Sequence, residues 1–306
     1  MDLSVIIPAY NEETFIMKCC ESVRLALKDS KLTYEILVVD NGSDDNTAGI
    51  LENITYVRFL KIERSSISNA RNYGAKKSTG RILAFIDADV VVCDKWGYAI
   101  EDIFESCEGA VVTGFQYLVR PNGTWIERHW FSRISSSHIN GGNLVVSRSA
   151  FDQLEGFNKE LKTGEDVDFC DRAKFSKEVS YGPRRDLEAI HLGYPRTIGH
   201  FMRRELWHGE GDFASLSFFL RSKVALIAII YAFSQLIFLV LLGFGYFSLA
   251  FMLATAFLMA NFVITIVRFS MMPLRSAIVN SILNYFYFMA RFGSLFKAIA
   301  KRSRSY

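Results

Sequence analysis

The chain has 306 residues, half of them hydrophobic, with a formal net charge of +3 and a mean hydropathy of +0.17. So slight a positive balance, with no basic and aromatic stripe in the polar part, argues against a nucleic-acid partner. The length leaves room for one α/β domain of roughly 200 residues and an appendage, and the first two hundred positions are ordinarily polar, so the apolar excess lies towards the C-terminus. Five cysteines (Cys19, Cys20, Cys93, Cys107 and Cys170) form no C-x-x-C pair and leave one over, the pattern of reduced thiols in a cytosolic domain. Met1-Asp2-Leu3 runs directly into an apolar strand pattern, and no signal peptide is expected.

Strand and helix patterns alternate from the start. Leu3 to Ile7 is a short β-branched run stopped by Pro8, and Glu13 to Lys28 carries Ile16, Cys20, Val23 and Leu27 at helical spacing. Glu35 to Asp40 is a second strand, apolar enough to be buried on both faces as parallel strands are. Asn41 to Asn46 is turn and cap chemistry leading into a helix from Thr47. A weaker strand near Val57 to Phe59, a helix over about Ser66 to Lys77 and an apolar strand over Arg81 to Val90 follow. This βαβαβ series predicts a mostly parallel sheet with ligands at the carboxyl ends of its strands.

Asp87 and Asp89 stand one residue apart at the end of the Arg81 strand. Side chains at i and i+2 of a strand project the same way, and two hard anionic oxygens there would seat a hydrated divalent cation and the phosphates it carries. The plainer reading is acidic residues ending a strand. Neither G-x-G-x-x-G after the first strand nor G-x-x-x-x-G-K-[ST] anywhere is present, so a dinucleotide fingerprint and a P-loop are both excluded.

Four ordered stretches, Val5-Ile6-Ile7-Pro8-Ala9-Tyr10-Asn11-Glu12, Val38-Val39-Asp40-Asn41-Gly42-Ser43-Asp44-Asp45, Ala70-Arg71-Asn72-Tyr73-Gly74-Ala75 and Gly80-Arg81 through Asp89, resemble the family 2 glycosyltransferases of GT-A fold. The resemblance covers roughly the first two hundred residues. It implies a Rossmann-like, mostly parallel catalytic domain that uses a nucleoside-diphosphate sugar, a UDP-sugar first among them. It implies that Pro8, Ala9, Tyr10, Glu12 and Asp40 hold the base and ribose, with Arg71 near the nucleotide or its phosphates. Asp89 would bind Mg²⁺ or Mn²⁺ directly, while Asp87, beside Ala88, reaches ribose or a metal-bound water. For Asp40 the plain alternative is a turn carboxylate; for Arg71 it is a solvated helix face.

Further on, Ala110 to Phe115 is a plausible strand, whereas Gln116 to His138 has no clear period and reads as an acceptor-facing loop or as nothing definite. Gly141-Gly142-Asn143 precedes a returning strand; glycines let backbone approach a ligand closely, and the segment resembles the family's Gly-Gly-Asn beside the donor sugar. Thr163-Gly164-Glu165-Asp166 resembles the family's Glu-Asp pair, which opens a helix beneath the acceptor. On that resemblance Asp166 is the catalytic base and Glu165 lies by the sugars; the bland reading is that acidic residues favour a helix N-terminus. Asp168 should point elsewhere, and Asp171-Arg172 reads as a surface pair. His191 lies where many GT-A enzymes place a histidine that completes the metal shell, with His200 and His208 as competitors. Trp207 follows Leu206 without the Gln-x-x-Arg-Trp motif of processive members, so single transfer is expected, with Trp207 an acceptor platform or an interface anchor.

From Val224 to Val267 no residue is charged. One helix over that run would be about 66 Å long, twice the ~30 Å hydrocarbon core, so two passes are predicted, about 224–242 and 247–267, turning at Gly243-Phe244-Gly245-Tyr246. Arg221, Lys223, Arg268 and Arg275 flank the pair and put both ends on the cytosolic side. The segment 276–300 has Ile278, Ile282, Tyr285, Met289, Phe292, Phe296 and Ile299 on one helical face and Asn280, Asn284, Arg291, Ser294 and Lys297 on the other. It predicts an interfacial amphipathic helix with a basic tail, Lys301-Arg302-Ser303-Arg304, rather than a third span.

The reading is a catalytic domain over 1–215 and a membrane module over 216–306, at the plasma (inner) membrane with the catalytic domain cytoplasmic. The expected activity is inverting, metal-dependent transfer of one sugar to a lipid-linked or glycan acceptor in cell-surface polysaccharide or glycolipid synthesis. The alternatives are transfer straight to polyprenyl phosphate and a catalytically silent membrane scaffold of the same fold.

Overall fold

The computed structural model describes residues 1–106, 109–134, 138–161, 163–213, 216–270 and 272–302, the side chains of 217, 218, 301 and 302 excepted. Cys107 and the tail beyond Arg302 lie outside the described residues, and so do the side chains of Lys301 and Arg302. The chain folds as two compact units, 1–121 with 135–193, and 122–134 with 194–306.

The first unit is built on a seven-stranded sheet in the order β3-β2-β1-β4-β7-β6-β8. Strands β1 (Leu3–Ala9), β2 (Tyr34–Asn41), β3 (Arg58–Ile62) and β4 (Ile82–Ile86) run parallel, β7 (Asn143–Ser147) is antiparallel to β4 and β6 (Ala110–Gly114), and β8 (Val179–Pro183) is parallel to β6. Every residue of β1 and β4 is buried, as expected of strands covered on both faces. Alternate residues point to opposite layers. Val5, Ile7, Ile36 and Val38 pack with Ile16, Cys20 and Val23 of α1 (Ile16–Ala26) and with Trp96 and Ile100 of α4 (Trp96–Ser106). Ile6, Leu83, Phe85 and Leu144 meet Phe151, Phe157 and Phe169 from α6 (Arg148–Gln153), its following turn and α7 (Glu165–Phe175). Phe85 and Phe157 pack edge to face at 5.1 Å, a geometry worth about 1 kcal/mol beyond area burial. Helices α2 (Thr47–Glu52) and α3 (Ile67–Lys77) complete the βα crossovers.

The strand expected over Arg81 to Val90 is shorter. It ends at Ile86, where the Asp87 amide donates to the Gly142 carbonyl at 3.2 Å and the Val90 amide donates back to the Asp87 carbonyl at 3.0 Å. The apolar run continues as a separate strand, β5 (Val90–Val92), antiparallel to β9 (Ala189–His191). Asp87 and Asp89 therefore lie in a turn, and their side chains find different partners.

The second unit contains α5 (Trp125–His129), α8 (Ile198–His208), α9 (Leu216–Arg221), α10 (Lys223–Gly243), α11 (Phe247–Phe269) and α12 (Leu274–Arg302). Helices α10 and α11, 21 and 23 residues, are long and apolar enough to cross a membrane and form a hairpin. Its turn is a Schellman close: Gly245 takes φ +80°, Tyr246 N–H donates to the Leu241 carbonyl and Gly245 N–H to that of Leu242. Helix α12 turns its polar face inward. Asn280, Asn284 and Ser294 are fully buried while Ile278, Ile282, Phe296 and Ile299 are exposed. Asn284 Nδ2 donates to Asn261 Oδ1 at 3.0 Å, Tyr231 Oη donates to the same oxygen at 2.7 Å, and Ser294 Oγ donates to the Leu206 carbonyl at 2.8 Å, while the buried Oδ1 of Asn280 has no hydrogen-bond partner among the described residues.

Candidate functional site

The register Ala9↔Asp40 sets the ends of β1 and β2 side by side, and the loops that follow are laced together. Asn11, which tolerates φ +57°, accepts from the Asp44 amide through Oδ1, and its own amide donates to Ser43 Oγ, both at 3.0 Å. The Glu12 amide donates to Thr47 Oγ1 at 2.8 Å, and the Asn46 amide donates to Glu13 Oε2 at 3.0 Å. At the base of this frame Asp40 is 0% exposed. Its Oδ1 accepts from the Ser43 amide at 3.1 Å, while its buried Oδ2 has no hydrogen-bond partner among the described residues. A buried acceptor left unmatched costs about 1–3 kcal/mol. Pro8 and Ala9 are buried beside it, and Tyr10 above them is partly exposed with the Arg64 guanidinium 3.2 Å from its ring centroid.

A second frame centres on Arg71, which is 2% exposed. Its two terminal nitrogens donate to Asp87 Oδ1 and Glu165 Oε1, each at 2.7 Å. Arg71 therefore acts on its surroundings through those two carboxylates, and it is buried rather than on a solvated helix face. Tyr117 Oη donates to Asp87 Oδ2 at 2.7 Å and accepts from the Gly142 amide at 3.0 Å. Position 142 must be glycine, because a Cβ there would overlap the Asp87 carboxylate. The neighbouring Gly141 amide donates to Asp166 Oδ2 at 3.2 Å. The Asp166 carboxylate also accepts from the Val167 amide and has His138 Nε2 at 3.6 Å. Burial alone would raise its pKa, but His138, Arg71 and the Gly141 amide together hold it below the usual carboxylate value. It is thus ionised at neutral pH.

Asp89 turns the other way. Its backbone carbonyl accepts from the Leu192 amide at 2.8 Å, and its Oδ2 lies 3.4 Å from His191 Nε2. Gly193 lets the carboxylate lie against the backbone, since a Cβ would collide with it. Ala88 is buried between the two aspartates, and the Tyr117 ring packs edge-on to His191 at 5.0 Å. Glu12 faces this acidic cluster. Burial first, then the charges of Asp89, Asp87 and Asp45, push its pKa up to about 8. Among the described residues no three His, Cys, Asp or Glu side chains gather tightly enough to hold a metal by themselves.

Residues 4–170 match the sequence profile described as Glycosyl transferase family 2. The chain belongs to that family. It is 30% identical to the glycosyltransferase AglE of Haloferax volcanii over 227 residues, which cover 69% of this chain and 72% of AglE. It is 38% identical to the uncharacterized glycosyltransferase YibD of Escherichia coli K12 over 91 residues, 28% of this chain and 26% of YibD, and 27% identical to E. coli chondroitin synthase over 199 residues, 61% and 28% of the two chains. Among solved structures, S. aureus TarS residues 1–349 aligns with a TM-score of 0.46 at 17% identity, covering 100% of this chain and 93% of that one.

The first unit of this glycosyltransferase thus gathers Pro8, Ala9, Tyr10, Glu12, Asp40, Asp87, Ala88, Asp89, Glu165, Asp166 and His191 around the strand ends, with Arg71 beneath them. Asn143 is not among them. It is fully buried, its Nδ2 donating to the Leu187 carbonyl at 2.7 Å and to the Phe115 carbonyl at 3.3 Å, and its Oδ1 accepting from the Trp96 indole at 3.4 Å. Trp207 lies in the second unit on α8, 51% exposed, its ring against His208; His200 is on the same helix. Asp168 points away from the site and pairs with Arg172 at 2.7 Å, leaving Asp171 to Lys174. Tyr117, His138, Arg64 and Gly193 are neighbours of the site that no motif marked.

Proposed function

We propose that this family 2 glycosyltransferase moves a single sugar from a nucleoside-diphosphate donor, a UDP-sugar first among them, to a lipid-linked saccharide at the cytosolic leaflet, inverting the anomeric centre. The observation that carries the reading is one connected frame, Arg71 with Gly141-Gly142, which fixes Asp87 at the strand-end cluster on one side and an ionised Asp166 on the other. A donor held at the strand ends would then present its anomeric carbon towards the carboxylate that deprotonates the acceptor.

The unmatched Oδ2 of Asp40 suits an N–H of the base, and Tyr10 offers a ring face beside it. Asp89 and His191 are the side chains that would hold Mg²⁺ or Mn²⁺. A carboxylate and an imidazole 3.4 Å apart, with Glu12 crowded by Asp89, Asp87 and Asp45, form a donor set that a cation relieves. Two protein ligands are enough when diphosphate oxygens supply the others. Bound there, such an ion supplies Lewis-acid stabilisation of the departing diphosphate. The protein's own part is proton removal: Asp166 takes the proton of the acceptor hydroxyl as its oxygen forms the new bond to C1, and the C1–O bond to the diphosphate breaks with its electron pair on the leaving nucleotide. A single displacement of this kind inverts the centre.

The hairpin of α10 and α11 would cross the plasma (inner) membrane, with Arg221, Lys223, Arg268 and Arg275 keeping both ends cytosolic, and α12 would lie at the interface on its exposed apolar face. Asp89→Asn and Asp166→Asn test the reading. Each should abolish transfer by purified protein, with near-UV circular dichroism unchanged and Asp166→Asn still binding the nucleotide sugar. Wild-type turnover by either variant refutes the role given to that residue.

A further inference from the structure

Among the described residues, the second unit pairs some of its arginines with carboxylates and not others. Glu205, buried on α8, takes Arg204 at 2.6 Å and Arg291 at 3.0 Å, and Arg291 also reaches Asp212 at 3.1 Å. Arg128, Arg133, Arg268 and Arg275 make no ion pair with a carboxylate among the described residues. They are nonetheless gathered. His129 Nδ1 and Ser276 Oγ meet at 3.1 Å, which joins α5 to the first turn of α12, the two turns that carry Arg128 and Arg275. Burial of the His129 ring, then the charges of Arg275, Arg128 and Arg133, hold its pKa below the usual value, so all three arginines act on the same point. The buried Nε of Arg133 has no hydrogen-bond partner among the described residues.

Arg268 is held rather than loose. Its guanidinium lies over the rings of Tyr287 at 4.0 Å, Trp130 at 4.7 Å and Phe269 at 5.5 Å, and donates to Asn284 Oδ1 at 3.4 Å. Ring stacking fixes the fork in advance, so little rotamer freedom remains to be lost on binding. The first turn of α12 has no acidic residue and carries Arg275 instead, the reverse of the usual charge bias at a helix start. A dianion would relieve every one of these features, and planar guanidinium groups bind phosphoryl oxygens two at a time.

We propose that Arg128, Arg133, Arg268 and Arg275 form a binding site for the phosphoryl headgroup of a membrane lipid, the acceptor lipid of the transfer described above. A lipid is favoured over a free phosphate because a groove of about 610 Å³ between α10, α11 and α12, lined by Phe238, Phe257, Phe262, Ile282 and Tyr285, also includes Asn261, whose side chain bonds Asn284, the partner of Arg268. The head site and an apolar channel for the tail are thus two hydrogen bonds apart. The site lies at the end of α11 assigned to the cytosol. Saccharide-bearing lipid diphosphates and bare polyprenyl phosphate present this same chemistry.

The inference rests on the lipid-linked reading of the acceptor but is tested without donor or turnover, so loss of catalysis cannot imitate its failure. Full-length protein in neutral detergent is titrated with polyprenyl phosphate, phosphatidylglycerol and inorganic pyrophosphate, read by tryptophan fluorescence and native mass spectrometry. Saturable binding of polyprenyl phosphate is expected, at least tenfold weaker in Arg128→Gln/Arg275→Gln, whose side chains are both exposed, with a shallower salt dependence. Arg268→Lys, which keeps the charge and loses the fork, should bind less tightly than wild type. Equal affinity in wild type and the double variant overturns the proposal. So does pyrophosphate or phosphatidylglycerol binding as tightly as polyprenyl phosphate, which would reduce the cluster to a general anion or membrane-surface patch.

Discussion

Arg71→Met removes a buried guanidinium of which both terminal nitrogens are committed, and the cost can be worked from its surroundings. The side chains of Asp87 and Glu165 are 24% and 10% exposed and each lies 2.7 Å from Arg71. Taking one partner from a buried pair costs roughly 3–5 kcal/mol, because a charge is left unpaired in a poor solvent. That is a large part of the ~5–15 kcal/mol that holds a domain folded. At roughly 2–4 °C per kcal/mol for a domain of this size, the melting temperature of the purified protein should drop by about 6–20 °C. Activity should fall as well, since Asp87 loses its anchor and Tyr117 loses a fixed acceptor. Adding Glu165→Gln to Arg71→Met should recover part of the stability by removing one stranded charge, whereas Glu165→Gln alone should destabilise. Thermal unfolding in detergent for the four proteins closes the cycle. A melting temperature for Arg71→Met within 2 °C of wild type, or a double variant less stable than the sum of the singles, refutes the reasoning.

Asp166, held below the usual carboxylate pKa, sets the acid side of the pH–rate profile. A depressed pKa means the ionised, reactive form is present at neutral pH and is lost only as the pH falls through the depressed value, so kcat/KM should stay level from neutral pH down to the ordinary carboxylate range. His138→Ala removes one of the groups that oppose burial and should move that acid limb to higher pH. Gly193→Ala should cut transfer by at least tenfold by displacing the Asp89 carboxylate, with stability falling only modestly; unchanged kinetics would contradict the packing given to Asp89. Asn143→Ala should cost about 1–3 kcal/mol of stability by stranding the Leu187 carbonyl and the Trp96 indole, with donor affinity unchanged in the protein that remains folded. Nuclear magnetic resonance of the product should show the opposite anomer to the donor.

What the sequence disclosed is what contiguous residues decide. Strands β1 and β2 and the loops after them are short apolar runs followed by turn chemistry, and the hairpin of α10 and α11 follows from an uncharged run longer than one span. The end of β4 was not legible, because the apolar pattern continues through Val90 to Val92 and only the Gly142 carbonyl, far along the chain, captures the Asp87 amide. Asn143 looked like a ligand because two glycines precede it; its partners Trp96, Phe115 and Leu187 come from three separate segments. Tyr117 and His138 lie in a stretch without period, and nothing short of the fold reveals that one reaches Asp87 and the other Asp166. The polar face of α12 was evident, but whether Asn284 meets water or Asn261 is a tertiary fact.

Mass spectrometry of lipid extracts, after detergent-purified protein is incubated with Mn²⁺, a panel of nucleotide sugars and native membrane lipids, tests the central claim most directly. A mass gain of one sugar on a lipid-linked acceptor, present with wild type and absent with Asp166→Asn, is the predicted result. No gain with any donor, despite measurable nucleotide-sugar binding, would contradict the account and favour a silent scaffold of the same fold.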